Sequence, residues 1–263
     1  MLNFSSFIFL QIISESFPVS SSGHLLLLLT YVKSCNVALF TEFFSFLERS
    51  DVMFALHAPT VFIIALFYVP RFVPIISCLR TTIGVVRKSI GYVILANILT
   101  VACYVIIKKF SLSIPLWLGF CITFLLLIST RRPQEGSVPL GAYAFFVLGC
   151  VQGIAILPGI SRFAAVYAAG YALGLSGRKA FDVAWMLQFA LIMAAACLGW
   201  AQLVCSHETD LLLNTSALWA QLLGTVIGFF GLYTMYLLAK HARIWIMAGY
   251  IIIPLAISLW YGV

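Results

Sequence analysis

Five side chains capable of proton or phosphate chemistry fall within ten residues of one another in QIISESFPVSSSGHLLLLL: Glu15, Ser20, Ser21, Ser22 and His24. Gln11 precedes Glu15 by four residues, so on a helix the two share one face about 5 to 6 Å apart. Oxygen donors so placed suit a hard divalent cation, and the carboxylate alone suits a general base. The plainer alternative for both is a polar contact between helices. The serines after Pro18 can cap the helix that the leucines open, leaving N–H groups at its N-terminus where an anion binds. Capping accounts for one serine, and the others can be turn formers. His24, three residues after Ser21, can activate that hydroxyl or protonate a leaving oxygen. A structural histidine is the alternative.

A second polar break lies at LPGISR, residues 157–162, where Gly159, Ser161 and Arg162 interrupt another apolar region. Arginine suits bidentate recognition of phosphate oxygens. If the two breaks meet, one supplies carboxylate, hydroxyls and imidazole and the other Ser161 and the Arg162 guanidinium. That inventory fits a phosphate ester or a diphosphate. Outside the breaks, His57 in LHAPT and Asp182 read as packing or interface groups, and His207 and His241 fall in connectors.

The elements that hold these residues must lie in a membrane. The chain is 63% hydrophobic and 9% charged, against roughly 25% charged in soluble proteins. Its net charge of +7 sits in short connectors, where it sets orientation rather than drawing nucleic acid. Seven cysteines show no metal-ligand spacing and read as small buried hydrophobes. Gln11 and Glu15 stand where a signal peptide would be apolar, so these residues are expected in the mature protein.

Six segments meet the requirement of about 20 apolar residues for a transmembrane helix: 52–70, 89–107, 111–129, 181–204, 211–239 and 244–262. Residues 1–33 and 139–175 are each broken by proline and polar residues, which predicts re-entrant helical hairpins, since irregular backbone at membrane depth needs protein or a water-filled cavity around it. The expected fold is therefore an all-α polytopic membrane protein forming one domain, with six transmembrane helices and two re-entrant hairpins. Gln11 before Pro18 parallels Gln152 before Pro158, and Ser21 parallels Ser161. One hairpin plus three spans, twice, predicts an inverted repeat of about 1–130 and 138–263. Arg71, Arg80, Arg87, Lys88, Arg131, Arg132, Arg178, Lys179, Lys240 and Arg243 then share the cytoplasmic face, and Glu48, Asp51, Glu208 and Asp210 the other, with Lys108 and Lys109 as the exception.

The chain resembles the undecaprenyl-diphosphate phosphatase family, associated with bacitracin resistance. The likeness rests on QIISESFPVSSSGHL and LPGISR, in the order and spacing of the family's E/Q-x-x-x-E, P-V-S-S-S/T-G-H and P-G-x-S-R motifs. It implies hydrolysis of undecaprenyl diphosphate to the monophosphate in the bacterial inner membrane, at a site opening toward the periplasm. The resemblance also implies catalytic roles for Glu15, Ser21, His24 and Arg162, substrate contacts from Ser20, Ser22, Gly23, Gly159 and Ser161, and Mg²⁺ or Ca²⁺ at Glu15 and Gln11. The partners expected are an isoprenyl diphosphate and the bilayer, with room for a homodimer and no role for nucleic acid. The nucleophile stays open among Ser21, His24 and water. The chain departs from the family at SRFAAV, where Phe163, Ala164 and Val166 replace serine, glycine and threonine, and at Pro59 and Asp182. The rival readings are a carrier of polyprenyl phosphates and a homologue that binds lipid phosphate without hydrolysing it.

Overall fold

A computed structural model describes residues 4–34, 49–77, 79–132 and 141–263, and for residues 71–77, 79–83, 85 and 86 the backbone alone. Cys35, Glu48 and Cys78 lie outside the described residues, as do the side chains of Arg71 and Arg80. The described chain is helical, without a strand. Its helices are α1 (Phe4–Glu15), α2 (Ser21–Ser34), α3 (Ser50–Ala55), α4 (Ala58–Ser77), α5 (Leu79–Lys109), α6 (Leu116–Ser129), α7 (Ala142–Ile154), α8 (Arg162–Ala172), α9 (Gly177–Cys205), α10 (Asp210–Leu213), α11 (Thr215–Lys240) and α12 (Met247–Tyr261).

Among the described residues, five stretches are long and apolar enough to cross a bilayer: Ser50–Pro70, Arg87–Lys109, Gly177–Cys205, Thr215–Lys240 and Ile244–Tyr261. The span expected at 111–129 is realised only in part. Pro115 caps α6, and the 14-residue helix that follows is about 21 Å long, short of the roughly 30 Å hydrocarbon core. The span expected at 52–70 is jointed, because Pro59 has no N–H to give the carbonyl one turn back, and the chain turns at Leu56 and His57 between α3 and α4. Ile98, Leu198, Phe230 and Trp260 stand exposed on the outer surface, a distribution suited to lipid rather than water.

Two pairs of short helices, α1 with α2 and α7 with α8, flank the turns at 16–20 and 155–161. Their arms of 11 to 14 residues are too short to cross a bilayer. Close backbone approach fixes the first arm of each pair. Gly224, Gly228 and Gly231 of α11 leave room for Ile12, Ser16 and Phe17, and Gly149 and Gly153 of α7 let Ala96, Thr100 and Cys103 of α5 come close. Small residues of this kind allow helices to pack where lipid gives no hydrophobic driving force. Thr100 Oγ1 joins the second contact, within 2.9 Å of the Ala96 carbonyl and 3.1 Å of the Gly149 carbonyl.

Helix α9 runs between two chemically distinct ends. Near its start, Arg178 lies over Tyr236, and elsewhere Arg131 lies over Trp245. Beyond its far end, Arg49 binds Asp51 at 2.5 Å and also Glu208. Hydrogen bonds to those two carboxylates raise the Arg49 pKa.

Candidate active site

The two turns are built differently and meet at one place. In the first, Ser20 adopts a left-handed conformation with φ 63°. Its hydroxyl accepts the Gly23 N–H at 3.3 Å and its carbonyl accepts the His24 N–H at 3.1 Å, so Ser20 is the serine that caps α2. In the second turn Gly159 is left-handed at φ 78°, and a Cβ there would stand 2.7 Å from the Leu116 carbonyl oxygen, so the position requires glycine. Thr123 fastens this turn by donating to the Gly159 carbonyl and accepting the Ser161 N–H, each at 2.9 Å. Ser161 then caps α8 by accepting the Ala164 N–H. Gly23 faces Gly159 so closely that a Cβ on it would lie 3.0 Å from the Gly159 Cα. The hairpins touch where neither has a side chain.

Capping leaves the first N–H groups of both helices, at Ser21 and Ser22 and at Arg162 and Phe163, without partners among the described residues. Helix N-termini with free donors are favourable places for an anion. They border one small polar cavity, enclosing about 30 Å³, lined by Glu15, Ser20, Ser21, Ser22, Ser161, Arg162, His57 and Gln188 among others. Arg162 has no carboxylate within ion-pairing distance among the described residues, so its guanidinium is available to a ligand.

Glu15 is 6% exposed and is held from three sides. Gln11 Nε2 donates to Oε1, Thr60 Oγ1 donates to Oε2 at 2.5 Å, and His57 Nδ1 lies 2.6 Å from Oε1. Gln11 stands behind Glu15, away from the cavity lining, and its own Oε1 is buried without a partner among the described residues. His57 thus belongs to the polar cavity, where sequence reasoning assigned it to packing. The joint before Pro59 puts it there, and an ionisable residue in an apolar segment beside a proline was the available signal. Thr60 and Gln188 were missed as well. Asp182 is an interface group as expected, accepting the Tyr68 hydroxyl at 2.9 Å.

His24 is directed elsewhere. Its Nδ1 lies 2.9 Å from the Ser20 carbonyl and its Nε2 3.0 Å from the Tyr250 hydroxyl, so the ring donates at Nδ1 and accepts at Nε2 when neutral. It stacks on Tyr250 and meets Phe120 edge-on. His24 and Tyr250 line an apolar groove of about 470 Å³ with Leu10, Ile13, Val19, Leu25, Leu28 and Met247. Ser14 and Phe17 line both the groove and the polar cavity.

The sequence model for the family described as bacitracin resistance protein BacA matches residues 8–257. A protein of Desulfosudis oleivorans named undecaprenyl-diphosphatase is 25% identical, with 96% of this chain and 95% of that protein covered. One of the same name from Treponema denticola is 28% identical, with 95% and 92% covered. Another from Rhodopirellula baltica is 29% identical, with 72% and 70% covered.

Proposed function

The chain belongs to the bacitracin resistance protein BacA family, and on that premise we propose that it hydrolyses undecaprenyl diphosphate to undecaprenyl phosphate and inorganic phosphate. The observation that carries this reading is the joining of a hydroxyl-lined, cationic cavity to an apolar groove through Ser14 and Phe17. An isoprenyl diphosphate presents those two chemistries in the same order.

Phosphoryl transfer asks the protein mainly to position the reacting groups and to stabilise charge on the non-bridging oxygens. Arg162 and the free N–H groups at the two helix starts hold the terminal phosphoryl group. Ser20, Gly23, Gly159 and Ser161 shape the turns that present those donors, and Ser21 and Ser22 contribute hydroxyls. Glu15 is oriented by hydrogen bonds from Gln11 and Thr60, with His57 Nδ1 close beside it, so it enters with a fixed direction. His24, on the groove side, is placed toward the phosphate that stays with the lipid. Glu15 is the hard oxygen donor on the cavity that would hold Mg²⁺ or Ca²⁺, and such a cation would supply positive charge to the phosphate oxygens; Gln11 turns its Nε2 to Glu15 and lies off the cavity lining, so its Oε1 does not fit that role in this geometry.

We place the protein in the bacterial inner membrane with the cavity opening toward the periplasmic face. Basic residues around Arg131 and Arg178 at one end of the bundle, against Asp51 and Glu208 at the other, support that orientation. A single chain lines both the cavity and the groove, so no homodimer is needed to complete the site.

Purified protein in detergent is expected to release phosphate from undecaprenyl diphosphate, with release suppressed by EDTA and by Glu15→Gln. Release no greater than that of Arg162→Ala would refute the enzymatic reading and favour a lipid-phosphate carrier.

A further inference from the structure

The residues that follow Arg162 on the first turn of α8, Phe163, Ala164, Ala165 and Val166, carry no hydrogen-bonding side chain. Phe163 is instead buried against α9, its ring 5.5 Å from Phe181 and 5.1 Å from Trp185. Trp185 is three residues, close to one helical turn, before Gln188 on α9, and Gln188 lines the polar cavity with Glu15, Ser21, Ser161 and Arg162. Gln188 is 9% exposed, and its Oε1 is a buried acceptor without a hydrogen-bond partner in the described structure. An amide oxygen held out of water normally meets a donor. The Gln188 side chain lines a cavity of about 30 Å³, enough for a water or two, whose walls offer several hydrogen-bonding groups; Oε1 is turned out of contact with that space, and rotation of the terminal amide exchanges it with Nε2.

We propose that this cavity holds the water that attacks the terminal phosphorus, and that the Gln188 amide, rotated so that Oε1 faces the cavity, accepts one of its hydrogens and so aims an oxygen lone pair at phosphorus. The inference rests on the diphosphate-hydrolysis reading and makes Gln188 a catalytic residue through its contact with the nucleophile. In the reaction, the water oxygen forms a bond to the terminal phosphorus. The bond from that phosphorus to the bridging oxygen breaks, and its electron pair stays on the departing lipid phosphate. Both hydrogens of the water leave with inorganic phosphate, so a trianionic lipid diphosphate gives a dianionic lipid phosphate and H₂PO₄⁻, with no net proton gained or lost by the protein. A carboxamide suits this role because it orients water without competing for its proton. Its position on α9 supplies a polar group next to Arg162 where Phe163 and Val166 do not.

The test compares wild type, Gln188→Met, which keeps length and bulk, and Gln188→Asn. Turnover of undecaprenyl diphosphate is measured beside calorimetric binding of inorganic phosphate and of orthovanadate, whose five-coordinate form includes the apical oxygen. Gln188→Met is expected to lower kcat about 10- to 100-fold, as misplacement of a reactant does, with KM and phosphate affinity within about twofold of wild type. Orthovanadate affinity is expected to fall about tenfold or more, since it follows transition-state stabilisation. Unchanged kcat and orthovanadate affinity in Gln188→Met would overturn the proposal. So would parallel loss of phosphate and orthovanadate, or a wild-type phosphoserine at Ser21 trapped during turnover. Gln188-dependent preference for orthovanadate in a protein that does not cleave undecaprenyl diphosphate would keep the water site and refute the substrate. Failure to bind either anion would refute both.

Discussion

The two turns solve one backbone problem with different residues. Each places a left-handed residue just before a serine-capped helix, but the first uses Ser20 and the second Gly159. Behind the first turn, Glu15 is held by polar groups, Gln11, Thr60 and His57. Behind the second, Arg162 heads a helix packed in aromatic rings, with Phe163 stacked on Tyr167, tilted against Trp185 and edge-on to Phe181. The difference follows from the charge each turn carries. A buried carboxylate needs hydrogen-bond donors to stay oriented, whereas a guanidinium meant for substrate oxygens needs a stiff base and no resident carboxylate.

Removing the charge of the second turn should break the comparison most severely. Arg162→Ala is expected to lower kcat/KM for undecaprenyl diphosphate about 10³-fold or more, in the range of a lost transition-state arginine. Arg162→Lys should restore little of it, since an ammonium lacks the fork geometry. Next in size is the backbone of the same turn. Gly159→Ala forces a Cβ against the Leu116 carbonyl at a left-handed position and should destabilise the protein by roughly 2 kcal/mol or more, beyond the usual cost of alanine at positive φ. Thermal unfolding in detergent measures it.

The paired glutamines sharpen the contrast. Gln11→Leu removes a donor from Glu15 and should lower turnover about tenfold, the effect of losing about 1.4 kcal/mol of positioning. Gln152, its counterpart in sequence, is 1% exposed, with neither amide atom partnered among the described residues. Gln152→Leu should therefore leave turnover within about twofold and leave the melting temperature unchanged or higher, since it removes unmet polar groups at similar volume. The smallest effect is expected of Ser20→Gly. Relief of left-handed strain, about 1 kcal/mol, is offset in part by loss of the capping oxygen, a few tenths when glycine replaces serine. A fall in melting temperature as large as that of Gly159→Ala would mean that Ser20 carries more than a cap.

Much of this arrangement was legible in the sequence because it is local. Proline followed by serine, or by glycine and serine, fixes a turn and a cap within a few residues, and Glu15, Ser21 and Arg162 stand out as polar groups inside apolar runs. The residues that sequence reasoning misplaced owe their positions to distant packing. His57 reaches Glu15 because α1 seats on α11 and the joint before Pro59 turns the chain, and Tyr250 meets His24 across 226 residues. Gln188 is one of two glutamines in a long apolar helix, and helical periodicity does not say which neighbour its face will meet. The short α6 was readable from SLSIP, where Pro115 sets a helix start four residues into the segment expected to span.

In the proposed reaction, carboxylate and guanidinium, from different hairpins, act on one phosphoryl group. A double-mutant cycle in kcat/KM for undecaprenyl diphosphate, with Glu15→Gln, Arg162→Ala and both together, tests it most directly. Residues acting as a unit are strongly non-additive, so the double variant is predicted to be little worse than the poorer single one. Losses that multiply would contradict the account, placing Glu15 and Arg162 in separate roles.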